Sequence, residues 1–455
     1  MSIGIKKSLI ALSISSALFA PSAFATNGYF AHGYSTAEKG MAGAGVAYSQ
    51  DAMAVANNPA GIAGMGSRMD VGAAIFNPNR GYTVTGAQSA KVVTCTGTEP
   101  ACGTFSLAEG SIDSDSDLFL IPHLGYVWQQ DSETSIALGV YGNGGMNSNY
   151  SGGAASFFHP TAGLQSDSPG TFGAGNAGVN LSQLFFNLAY ATKIDADNSV
   201  GASLILAYQK FSGDGLGTFA GYSADPANIS NMSSDTATGF GAKFGWQGKV
   251  APAVTLGASY QTEIAMSEFD DYAGLYAEGG DFDIPAAASI GLAWKTSDVS
   301  TLVFDIQKIY YEGVASISNP ISNLLTDCID GTGSPTGSGC LGGANGAGFG
   351  WEDMTIVKIG YEWLQNDMTW RVGLSHSDQP IPDSEVMFNI LAPGVVETHI
   401  TGGFTMPITS DSEFSFAAMY APSNSVSGAN PMDPAQTIEI EMDQLEFQGT
   451  YTMKF

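Results

Sequence analysis

Charge is scarce in this chain, and positive charge scarcer still. Only 13% of its 455 residues are Asp, Glu, Lys or Arg, against about a quarter in soluble domains. Fifteen Lys and Arg stand against 43 Asp and Glu. So few basic residues exclude nucleic acid as a partner, because phosphate binding needs a basic footprint. Beyond residue 25 no stretch approaches 18 consecutive apolar residues, which leaves no candidate transmembrane helix. The five histidines (His32, His123, His159, His376 and His399) are scattered without metal-ligand spacing. There is no G-x-S-x-G and no Walker A sequence. The expectation is a protein that is not an enzyme and has no cofactor and no metal. Asp113-x-Asp115-x-Asp117 is not a calcium loop, because Leu118 replaces the required Gly and Leu124 stands where a bidentate Glu is needed. It reads as a solvated acidic loop.

Cysteine is also rare. The four residues fall into two local pairs, Cys95 with Cys102 and Cys328 with Cys340. Both pairs sit in Gly/Thr/Ser-rich stretches, and neither has the C-x-x-C spacing of a metal site. Two loop disulfides in a secreted chain are expected. Residues 1–25 support secretion. Lys6 and Lys7 form a positive n-region, Ser8 to Ala20 an apolar stretch, and Ala23-Phe24-Ala25 a small-x-small cleavage site. With that signal peptide removed, 13 basic residues face 43 acidic ones, a balance of −30. Such a charge suits an outer surface where divalent cations bridge carboxylates to lipopolysaccharide.

What the chain has in quantity is glycine, 58 residues, and alternation. Leu184, Phe186, Leu188 and Tyr190 alternate with Gln183, Asn187 and Ala189. Phe240, Ala242, Phe244 and Trp246 alternate with Gly241, Lys243 and Gly245. Val357, Ile359, Tyr361 and Trp363 alternate with Lys358 and Glu362. Period two with one greasy and one polar face fits strands between lipid and a lumen. Fourteen such runs begin near 68, 117, 134, 181, 198, 237, 253, 282, 300, 353, 368, 395, 412 and 437. Short polar connections alternate with long ones at roughly 78–116, 144–180, 213–235, 268–281, 313–352, 377–394 and 421–436. Short inner turns and long outer loops mark outer-membrane barrels. Trp128, Trp246, Trp294, Trp363 and Trp370 lie near the short turns, as an interfacial belt would. The last strand alternates through Leu445, Phe447, Gly449, Tyr451, Met453 and Phe455, but Ile438, Ile440 and Met442 have the opposite parity. A β-bulge near Asp443–Gln444 is the expected reconciliation. The fold class is therefore an all-β membrane protein: a 14-stranded antiparallel outer-membrane β-barrel over 68–455, preceded at 26–67 by a small segment with short helices.

That segment carries Gly40-Met41-Ala42-Gly43-Ala44-Gly45, then Asp51-Ala52-Met53-Ala54-Val55, then Asn57-Asn58-Pro59-Ala60-Gly61-Ile62. It resembles the N-terminal signature of FadL-type outer-membrane transporters of long-chain fatty acids and aromatic hydrocarbons. Close motif identity is confined to about 26–66, while the architecture extends over essentially the whole chain. The resemblance implies a plug, or hatch, in the lumen, passive uptake of long-chain fatty acids or aromatic hydrocarbons, and a kinked third strand that opens laterally. On that basis Asn58, Pro59 and Ala60 are candidates for a gating turn, with a rigid anchoring turn as the alternative. Gly142, Asn143, Gly144 and Gly145 are candidates for the kink, with a strand ending in a loop as the alternative. Partners implied are a hydrophobic small molecule and outer-membrane lipid with lipopolysaccharide, and the protein is expected to be a monomer.

Strand parity turns Lys243, Lys358 and Arg371 inward, as possible contacts for a substrate carboxylate or as lumen partners of Glu362, Asp305 and Glu446. Lys210 and Lys308 share parity with lipid-facing residues near the outer rim and should snorkel. Phe157, Phe158, Leu164, Phe172, Phe219 and Tyr222 offer either an outer hydrophobic groove or packing of the long loops on one another.

Overall fold

The computed structural model describes residues 27–89, 104–159, 163–164, 167–328 and 336–455. The proposed signal peptide and the Cys95–Cys102 pair lie outside these residues. Fourteen strands pair in sequence order, each antiparallel to the next. They are β1 (Arg68–Thr85), β2 (Phe119–Gln129), β3 (Thr134–Asn147), β4 (Gly178–Lys193), β5 (Asn198–Asp214), β6 (Asp235–Ala251), β7 (Val254–Gln261), β8 (Ala287–Ser297), β9 (Ser300–Ile309), β10 (Met354–Gln365), β11 (Met368–Ser377), β12 (Thr398–Thr409), β13 (Ser412–Asn430) and β14 (Asp433–Lys454). The ring closes where β14 pairs with β1 in an unbroken register from Arg68–Lys454 to Thr85–Thr437. Closure matters because hydrocarbon offers no partner for a free backbone N–H or C=O.

The alternation sets what faces where. Leu188, Tyr190, Phe240, Phe244, Ile290 and Ile359 are exposed on the outside of the wall, where lipid would cover them. Asp70, Gln183, Asn187, Lys243, Asp305, Lys358, Arg371 and His399 point inward and are buried. Trp363 and Trp370 face one another across the β10–β11 turn, within the expected inner belt. Lys308 meets Asp353 at 3.0 Å near the outer rim, and Lys210 is exposed on the lipid-facing side of β5.

Two expectations are corrected at the outer rim. There is no bulge in β14. Even-numbered residues from Ile438 to Thr452 are buried throughout, and Glu441, Leu445, Phe447 and Tyr451 on the other face are exposed. The apolar parity switches because the surroundings switch. Below Asp443 the outer face meets lipid and the inner face meets polar groups. Above it the outer face meets water, and Ile438, Ile440 and Met442 pack inward under the loops. Irregular register falls instead on β13, between Ala421 and Asn424. For the same reason 421–436 is not a long loop: β13 and β14 run on as a hairpin broken only at 431–432. Its outer positions, Ser423, Ser425, Ser427, Thr437 and Glu441, are polar because no lipid reaches them.

Residues 27–67 lie within the ring. Helix α1 (Thr36–Lys39) is capped by the Ser35 hydroxyl, which accepts from Ala37 N (3.2 Å) and Glu38 N (3.4 Å). Helix α2 (Ala54–Asn57) leads into a 3₁₀ turn at Pro59–Ile62. Glycines in the wall make room for this segment. A Cβ on Gly201 of β5 would stand 2.5 Å from the Pro59 carbonyl carbon and 2.6 Å from Ala60 N. Gly201→Val should therefore unseat the turn, destabilise the hatch by about 1–3 kcal/mol and raise single-channel conductance in planar bilayers. Wild-type conductance in that variant would show that the turn does not depend on this contact.

Candidate functional site

The hatch is held by polar side chains of the wall that bond its backbone. Asp305 Oδ2 accepts from Gly45 N (2.7 Å) and Val46 N (3.0 Å). Thr401 Oγ1 accepts from Ala42 N at 2.8 Å. Gln448 Nε2 donates to Thr36 Oγ1 at 2.8 Å, and Lys39 pairs with Glu446. Buried backbone groups need partners, and these inward polar residues supply them.

The three inward bases are engaged in the same way. Lys243 donates to the carbonyl of Ala56. Lys358 donates to the carbonyl of His32 at 3.0 Å. Arg371 pairs with Glu362 at 2.8 Å and also bonds Thr405 and Gln50. Strand parity placed all three correctly in the lumen, but their charged ends are turned to the hatch or to Glu362. A free cation for a substrate carboxylate must be sought elsewhere.

Asn58, Pro59 and Ala60 form a fully buried turn. Asn58 Oδ1 accepts from Ala60 N (3.1 Å), and its Nδ2 donates to the carbonyls of Val46 (2.7 Å) and Trp246 (3.0 Å). With its amide tied to both hatch and wall, Asn58 has the geometry of an anchor. The leading residues behave differently. Tyr29 and Phe30 sit among Phe282, Tyr311 and Trp351, with ring centroids 5.2–6.2 Å apart. The Tyr311 hydroxyl accepts from Tyr29 N at 3.2 Å and donates to the Asn27 carbonyl (2.5 Å).

The third strand does not end at its glycines. It continues to Asn147 with a register shift between Gly142 and Gly144 that leaves Asn143 as the extra residue. Pairing with β2 stops at Leu124–Val140. Above that row Phe119–His123 of β2 pair only with β1. The vacated edge of β3 is taken by the hatch: Ala31 N donates to the Asn143 carbonyl (3.0 Å) and Gly145 N to the Tyr29 carbonyl (3.1 Å). Leu120, which pairs with the lipid-facing Ile75, is exposed beside this break.

The outer loops pack on one another. Phe172 and Phe219 are buried, and Phe219 meets the rings of Phe105 (5.4 Å), Phe172 (5.5 Å) and Phe388 (5.4 Å), each from a different connection. Phe157 and Tyr222 pack against the same core from its edge. The side chains of Phe158 and Leu164 lie outside the described residues. Cys328 and Cys340 form a disulfide, 2.06 Å between sulfurs. Next to it Leu341 exchanges backbone bonds with Tyr222 and Ala224. A crevice under these loops, lined by Leu216, Phe219, Leu275, Phe349, Phe388 and Leu391, holds about 40 Å³ of free space. An aromatic ring needs on the order of 150 Å³, so this is a closed arrangement.

A closed fourteen-stranded antiparallel barrel with a greasy exterior, its bore occupied by residues 27–67, defines a bacterial outer-membrane β-barrel protein. Over residues 16–453 the chain matches the family described as "Outer membrane protein transport protein (OMPP1/FadL/TodX)", and it belongs to that family. Members of this family transport hydrophobic substrates across the outer membrane. No curated protein matches in sequence. Among solved structures, the toluene transporter TodX of Pseudomonas putida aligns with 16% identity and a TM-score of 0.63, over 94% of this chain and 100% of that one. A FadL homologue of Pseudomonas aeruginosa aligns with 14% identity and a TM-score of 0.62, over 94% and 100%. The toluene transporter TbuX of Ralstonia pickettii aligns with 16% identity and a TM-score of 0.55, over 93% and 99%. Likeness at this identity establishes the shared fold.

Inside the hatch, burial first and then the nearby Asp51 push the Glu38 carboxyl up to about 8. From about pH 4.5 to 8 the unfolded hatch would release a proton that the seated one keeps, so seating weakens as pH rises through that window. Glu38→Gln should weaken this dependence, leaving the smaller part that comes from Asp51, whose carboxyl burial pushes up to about 6. Hydrogen exchange of residues 36–46 at pH 5.5 and 8 checks it. Equal slopes in variant and wild type would contradict the assignment.

Proposed function

We propose that the protein is a passive channel through which hydrophobic compounds, long-chain fatty acids foremost, enter beneath the outer loops and leave sideways into the membrane. The observation that carries this reading is the break between β2 and β3. It lies at the height of lipid-facing Ile75 and Leu120, and hatch residues 29–31 lie across it. The glycines at 142, 144 and 145 and the extra Asn143 let β3 bend away from β2. In this reading Asn58, Pro59 and Ala60 anchor the hatch, and its mobile part is the leading segment at 27–31. A greasy solute needs no covalent step, since each CH₂ removed from water contributes about 0.8 kcal/mol. Phe219 and its neighbours offer the first apolar contact once the loops part.

Aromatic hydrocarbons are the second reading. It is favoured by the names of the two toluene transporters that share the fold. A general porin fits less well, because among the described residues the segment 27–67 fills the bore.

Deleting Asn143 should restore straight pairing of β3 with β2 and close the break. Uptake of radiolabelled oleate, measured beside toluene, should then fall to the level of cells lacking the protein, with the barrel still assembled. Undiminished uptake of both compounds by the deletion variant would rule out lateral release. High steady conductance with no uptake of either by the wild type would favour a porin.

A further inference from the structure

Residues 386–394 lie under the outer loops as a strap with ties in two directions. The strap begins with a short helix (Val386–Asn389) whose last residue is fully buried. Asn389 uses its whole amide. Its Oδ1 accepts from Trp351 Nε1 at 2.6 Å, and its Nδ2 donates to the carbonyls of Phe349 (2.7 Å) and Glu385 (2.8 Å). The next two residues are bonded to the chain just beyond β3. Tyr150 Oη donates to the Ile390 carbonyl (2.8 Å) and Ser148 Oγ to that of Leu391 (2.7 Å).

Trp351 carries the connection down to the hatch. Its buried ring meets a glycine from each side. A Cβ on Gly394 of the strap would stand 3.0 Å from Trp351 Cη2, and one on Gly28 of the hatch 2.9 Å from Trp351 Cζ3. The same Cβ on Gly394 would lie 3.4 Å from Gly28 Cα, so strap and hatch also meet directly. Gly28 has a φ of +64°, a conformation that suits glycine. Tyr311 packs edge-on against Trp351 with centroids 5.2 Å apart, and its hydroxyl holds Asn27 and Tyr29. The other side of this leading segment is bonded to Asn143 and Gly145 of β3. Strap, indole and leading segment are thus packed in series against upper β3, and contacts this close transmit displacement instead of absorbing it. Resting on the reading of residues 27–31 as the mobile part of the hatch, we propose that the strap and the leading segment open as one coupled unit, with Trp351 as the positioning residue between them. When 386–394 lift, 27–31 loosen, so the mouth and the break beside β3 open together. Coupling of this kind is reciprocal: loosening either segment loosens the other by the same factor.

Two substitutions loosen one end each. Ser148→Ala removes a tie of the strap, and the Ser148 hydroxyl bonds Leu391 and Val179 rather than the hatch. Tyr311→Phe removes the hydroxyl that holds Asn27 and Tyr29. Hydrogen exchange of the purified full-length protein in detergent, followed by mass spectrometry, reads residues 29–31, 386–394 and the anchor at 54–62. In wild type 29–31 should exchange faster than 54–62. Each variant should speed exchange of both 29–31 and 386–394 about fivefold, the worth of one neutral hydrogen bond, with 54–62 unchanged. In a Trp351→Leu background each substitution should loosen its own segment alone; transmission that survives there would remove the indole from the assignment. Faster exchange confined to the segment nearest each substitution, or spread equally over 54–62, would overturn the coupling and leave the mobile leading segment intact. Wild-type 29–31 exchanging as slowly as 54–62 would overturn both. Heat-modifiable mobility checks assembly, and if one variant does not assemble the other decides.

Discussion

A strand edge cannot be left bare in hydrocarbon, and most of this structure follows from that constraint. Fourteen strands satisfy one another by closing into a ring, and the β1–β14 seam completes it without a gap. Among the described residues the wall parts where β3 leaves β2 above Val140. There the hatch supplies what the wall withholds: the backbone at Tyr29 and Ala31 bonds Gly145 and Asn143. The N-terminal segment is therefore both the filling of the bore and a substitute strand at the break. Moving it exposes an edge, and holding it in place keeps the wall sealed.

The polar interior is organised around the same segment. Acids, bases and amides of the wall face inward because lipid excludes them from the outside, and inside they would be stranded without the hatch. Asp305, Thr401, Gln448, Lys243 and Lys358 all meet hatch backbone or side chain. Glu38 and Asp51 are buried acids of the hatch itself, and burial raises the carboxyl of each. The interior is thus a polar lock, with Asn58 at one end and Tyr29 at the end nearest the break.

Much of the wall was legible from alternation, because one face meets lipid and the other does not. Strand starts were placed within five residues, the largest offset being at β8. The misreadings came where that contrast fails. Above Asp443 the outside is water, so Ser423, Ser425, Ser427 and Glu441 read as loop although they are strand. The same switch in β14 suggested a bulge that does not exist. Glycines at 142, 144 and 145 left bend and chain end nearly equally open, and the pairing shows that the strand runs on to Asn147 past a register shift. Lys243, Lys358 and Arg371 were placed in the lumen by parity, but parity carries no record of which hatch carbonyl or acid they face.

Phe219 touches rings from three other connections, which makes the outer loops a single cap rather than a set of independent flaps. Lifting any one of them disturbs contacts held by the rest, so opening is cooperative. The free energy of that step is met once per passage, whatever the length of the molecule that enters. If solutes enter there as proposed, traffic through the mouth would be governed by how often the cap rises, and compounds of quite different size would share one limiting rate.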